Sequence, residues 1–164
     1  MQDRTNVSDK LETIGLVEPA PEPFTITGEF WYRLFDEDDN TVEERTIKNL
    51  VVDSGKAFLA NRAISSAKNP ISHVAIGSGT TPPAVGQTQL VAETARVALS
   101  TSTSTNNVVN CAGTVPAGTG TGTVEEVALF NAATLGDMIS RTLTGTITKP
   151  AGLGLQFSWT LTVN

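Results

Sequence analysis

With 164 residues, 39% of them hydrophobic, the chain is long enough for one hydrophobic core and short for two. Its net charge of -6, with 11 scattered Lys and Arg, excludes a phosphate-neutralising nucleic-acid surface, and no apolar run approaches the about 18 to 20 residues that span a bilayer. The single cysteine, Cys111, excludes an intrachain disulfide and a Cys-rich metal site, and reads as a small apolar residue.

In chain order, residues 1–23 read as an extended N-terminal arm. They hold few large apolar side chains, and Pro19, Pro21 and Pro23 favour extended backbone. Leu11, Ile14, Leu16 and Val17 are the exception and are the expected arm anchors, either on a neighbouring subunit or on their own domain. Residues 24–164 read as a single β-rich domain. A strand with Phe24, Ile26, Phe30, Tyr32 and Leu34 at alternate positions turns at Asp36 to Asn40 and returns through TVEERTIKNLVV. Asp53 or Ser54 is the expected cap of one helix, GKAFLANRAISSA, which must stop before Pro70.

The stretch HVAIGSGTTPPAVGQTQL then runs from an apolar strand into glycines and hydroxyls. A phosphate loop needs a lysine after its last glycine and a following helix, and neither is present. Gly77, Ser78, Gly79, Thr80, Thr81, Pro82 and Pro83 are therefore expected to form an exposed loop. Its glycines would supply special backbone angles and its prolines would stiffen the exit. LVAETARVALSTST reads as one strand, followed by an Asn106-Asn107 turn, VVNCAGTVPAG, a Thr-Gly run, VEEVALFNA and MISRTLTGTI. After the Lys149 to Gly152 turn, LQFSWTLTV alternates throughout, with Leu155, Phe157, Trp159, Leu161 and Val163 on one face. These segments predict a mainly β chain, an antiparallel sandwich or barrel-like domain with one short helix.

No group of residues reads as a catalytic constellation. His73 is the only histidine and no G-x-S-x-G elbow is present. Glu43-Glu44 and Glu125-Glu126 are strand neighbours, which point to opposite faces. Asp36, Asp38 and Asn40 match a calcium loop at its first positions, but Thr41 and Ile47 replace its glycine and its glutamate. No enzyme activity, cofactor or metal is expected.

The order of segments in the second half resembles a group of structural proteins of tailed-phage virions. The resemblance rests on Ala75-Ile76-Gly77-Ser78-Gly79-Thr80-Thr81-Pro82-Pro83, then Leu90, Glu93 and Arg96. It continues through Glu126-Val127-Ala128-Leu129-Phe130-Asn131, Arg141-Thr142 and Trp159-Thr160-Leu161-Thr162-Val163, covering about residues 50–164. It implies a non-enzymatic virion protein made in the host cytoplasm. Acidity and a clamping arm favour a capsid decoration (cement) protein on the outer head surface, a homo-oligomer such as a trimer bound to the major capsid protein. A tail fibre, baseplate or collar component bound to tail proteins is the alternative. A carbohydrate-binding module stacking sugars on Trp31 and Tyr32 is a further one. Nucleic acid and membrane are not expected partners.

Overall fold

The structure, a computed structural model, describes residues 25–164. The arm expected over residues 1–23 lies outside the described residues. Ten strands and one helix follow in order: β1 (Ile26–Phe35), β2 (Thr41–Lys48), β3 (Leu50–Val51), α1 (Asp53–Ile64), β4 (His73–Gly77), β5 (Glu93–Ala98), β6 (Thr101–Thr105), β7 (Val108–Val115), β8 (Gly122–Phe130), β9 (Met138–Lys149) and β10 (Gly154–Val163). They build two five-stranded antiparallel sheets, ordered β2-β1-β10-β7-β6 and β3-β9-β8-β4-β5. The chain is mainly β, as its alternating apolar positions require.

The sheets pack face to face over one core, to which both contribute alternate residues. Phe30, Tyr32 and Leu34 of β1 meet Trp159, Phe157 and Leu155 of β10 in direct register. Phe30 tilts against Trp159 at 5.0 Å between ring centroids. Gly113 of β7 lies opposite Phe157, where a Cβ would stand 2.7 Å from the ring, so the glycine makes room for the aromatic layer. Val74, Ile76, Val127, Leu129 and Ile147 close the core from the second sheet.

Two expectations are corrected. The stretch LVAETARVALSTST is two strands: Leu99 N–H donates to Ser72 O and Ser100 N–H to Ala112 O, so the chain leaves one sheet and enters the other within one residue. No Gly, Pro, Asn or Asp marks that step, which is why the stretch reads as one strand. The helix is also not capped by Asp53 or Ser54. Val52 occupies the cap position without a side-chain bond, Asp53 pairs with Lys56 at 3.2 Å, and Ser54 Oγ donates to Met138 O at 2.7 Å. Ser54 thereby fixes the helix to β9. Gly55 lets it approach until a Cβ would overlap the Ile139 carbonyl, and Phe58 enters the core.

Candidate functional site

Behind the core, β4 and β8 place Gly77 beside Glu126, while β8 and β9 place Ala128 beside Arg141. Because Val127 and Leu129 point into the core, Glu126, Ala128 and Phe130 point the other way. Residues 78–92 cross this outer face as a roof. Leu90 plugs it, packing with Val52, Ala75, Ala128, Phe130 and Met138 as a second apolar cluster.

Under the roof, Glu126 and Arg141 form an ion pair at 2.7 Å with both side chains fully buried. Glu126 accepts from the backbone amides of Gly79 (3.1 Å), Val91 (3.1 Å) and Ala92 (2.7 Å), and from Arg141 Nε (3.0 Å) and Nη2. Arg141 also donates to Thr81 O (2.8 Å) and to Gln87 Oε1 (2.9 Å). Both ends of the roof are thus bonded to Glu126, and Arg141 holds Thr81 and Gln87 between them. Such a pair is tolerable in the interior only because its remaining hydrogen-bonding capacity is used.

The glycine-rich stretch therefore binds an anion, but the anion is the protein's own carboxylate. Neither Gly77 nor Gly79 has a positive φ, which corrects the expectation of special backbone angles. A Cβ at Gly77 would meet Ala92 O and Glu126 Oε1, and one at Gly79 would meet Glu126 Oε1 and the Val91 Cβ. The glycines serve close approach. Gly77 and Gly79 are buried, against the expected exposed loop; Pro83 is half-buried, and only Ser78, Thr80, Thr81 and Pro82 are exposed.

A second clasp lies beside the roof. Arg96 pairs with Glu93 at 2.6 Å, donates to Ala132 O (3.1 Å) and Leu135 O (2.8 Å), and sits 3.6 Å above the Phe130 ring. It anchors the 131–137 turn, where Asn131 and Asp137 exchange hydrogen bonds at 2.9 and 2.7 Å. His73 bonds Ser72 Oγ through Nδ1; burial, then the Arg96 charge, hold its imidazole below the ordinary value. Burial raises the Cys111 thiol, which faces Ser102.

The remaining residues singled out in the sequence separate. Trp31 and Tyr32 do not form a stacking pair: Tyr32 is buried with its hydroxyl on Glu43 (2.8 Å), while the half-buried Trp31 donates to Glu44 (3.3 Å) from the opposite face. The two-ring sugar platform is thereby removed. Asp36 accepts first from the Asn40 side chain, then from the backbone amides of Asn40 and Asp38, which lowers its pKa. Leu11, Ile14, Leu16 and Val17 lie outside the described residues. Sequence reasoning missed the Glu126–Arg141 clamp. Its signal, an acid just ahead of the apolar run Val127–Phe130 and a base within a threonine-rich strand, does not by itself pair the two.

The described residues thus form a β-sandwich roofed by a loop that two buried charges hold in place. The chain belongs to a phage tail-collar fibre family: the model described as "Phage tail-collar fibre protein, N-terminal" matches residues 44–164, from within β2 to the end. No curated protein and no solved structure matches the chain. It is a structural protein of the tailed-phage virion and is tail-related. The matched span holds the roof, both members of the clamp and the Arg96 clasp. The expected capsid decoration role, outer-head location and major capsid protein partner find no support, because the matching family is one of tail-collar fibres.

Proposed function

We propose that the chain is a non-enzymatic component of a tail-collar fibre, seated on tail proteins, in which this β-domain forms a rigid mount. The observation that carries this reading is the family match over residues 44–164. The clamp supports it, since a mount under mechanical load needs loops that do not open locally, and Glu126 and Arg141 tie the longest connection back onto its sheet. Self-association into a small symmetric oligomer suits the part, because fibres and their attachment points share rotational symmetry.

Quantitative mass spectrometry of purified virions, with heads and tails separated, tests the placement. The chain is expected in the tail fraction at the low copy number of a fibre attachment. Recovery in the head fraction at the stoichiometry of the capsid lattice would reinstate the decoration reading and overturn this one.

A further inference from the structure

We propose that the apolar cleft between β1, β3 and α1 receives residues 11–17 of a second copy of the chain. The cleft, of about 580 Å³, is lined by Ile26, Leu50, Val51 and Ala60, with the exposed Lys48 adding one ammonium group and Lys56 another that also pairs with Asp53. Asn49 and the backbone of Gly28 complete its floor.

The occupant follows from the chain itself. Thr25, where the described residues begin, is part of the cleft wall. The 24 residues before it carry Leu11, Ile14, Leu16 and Val17 within one short stretch. They also carry five carboxylates (Asp3, Asp9, Glu12, Glu18, Glu22) against two basic side chains. Apolar anchors suit the apolar lining, and excess acid suits the lysines. A second copy is favoured over the chain's own segment by Pro19, Pro21 and Pro23, a spacing that favours extended backbone and so reach over a fold-back. Were residues 11–24 extended at about 3.1 Å per residue, Val17 and Leu11 would lie about 25 and 43 Å from Thr25, within reach of a neighbour. The inference concerns self-assembly and does not depend on the position in the virion.

Two full-length variants test it by size-exclusion chromatography with light scattering. One, Leu11→Ser/Ile14→Ser/Leu16→Ser/Val17→Ser, keeps the cleft and spoils the segment. The other, Ala60→Glu, keeps the segment and places a carboxylate in the cleft from an exposed helix position. The wild type is expected to be oligomeric. Each variant alone is expected at monomer mass with an unchanged circular dichroism spectrum, and a 1:1 mixture should recover a two-chain complex. A monomeric wild type, variants that stay oligomeric, or a mixture that stays monomeric would each overturn the proposal. Lys48→Glu, exposed on β2, supplies a second cleft variant should Ala60→Glu not fold. It must weaken association at least tenfold, and an unchanged mass would overturn the proposal equally.

Discussion

Glu126 has five hydrogen-bond donors aimed at two oxygens, three from backbone and two from Arg141. Replacing it with Gln keeps the shape, but it puts an amide donor among donors and leaves the buried Arg141 without its counter-charge. Glu126→Gln is therefore expected to cost about 3–5 kcal/mol in urea unfolding, the range for breaking one side of a buried pair. Arg141→Met should cost a similar amount. The double variant should lose clearly less than the two losses added, because the second change removes a charge the first had stranded. Simple additivity would mean the pair is not coupled. The glycines offer a sharper contrast within one loop. Gly79→Ala drives a Cβ into the Glu126 carboxylate and should cost about 1–3 kcal/mol. Gly86, whose Cβ would meet nothing within 4 Å and whose φ is not positive, should accept Ala with no loss or a gain of about 0.4–1 kcal/mol.

The roof over residues 78–92 lacks regular secondary structure, yet the clamp gives it protection a free loop lacks. In native-state hydrogen exchange, the amides of Gly79, Val91 and Ala92 are expected to exchange as slowly as those of β8; in Glu126→Gln they should exchange faster by at least tenfold, while β10 amides keep their order. Fast exchange in the wild type would mean that the clamp opens. The elements differ in how legible they were. β1 and β10 announce themselves because one face is packed and the other solvated, so Phe30, Tyr32, Phe157 and Trp159 recur at period two. The helix shows through Phe58, but its start is set by tertiary contacts of Ser54 and Gly55, which leave no local mark. The boundary between β5 and β6 is hidden because no turn-forming residue separates Leu99 from the Ser/Thr run that follows. The clamp was least legible of all. Glu126 sits beside Glu125 and reads as half of an exposed acidic pair until the roof, contributed from 34 to 47 residues away in sequence, is folded over it.

At the scale of the whole molecule, burial makes the core a sensor of alkaline pH through one phenol. Tyr32 lies in the central aromatic layer. Burial first, and then the hydrogen bond to Glu43, raise its pKa above the ordinary 10.0. The folded state thus keeps a proton that the unfolded chain releases as pH passes 10.0, so in that window the unfolded chain binds fewer protons and stability must fall as pH rises. Below 10.0 both states hold the proton and the group contributes no slope. Lys149 works in the opposite sense. Its ammonium donates to Pro116 O (3.0 Å) and Thr119 O (2.8 Å), and burial lowers its pKa below 10.5, so rising pH removes a penalty from the folded state before that value is reached. The two effects are separated by Tyr32→Phe. That variant should lose about 0.5–1.5 kcal/mol near neutral pH, the usual worth of one hydrogen bond, and should show a shallower alkaline decline than the wild type. Urea midpoints measured from neutral pH to beyond 10.0 decide it: parallel curves for the two proteins would show that the phenol does not govern the alkaline limb.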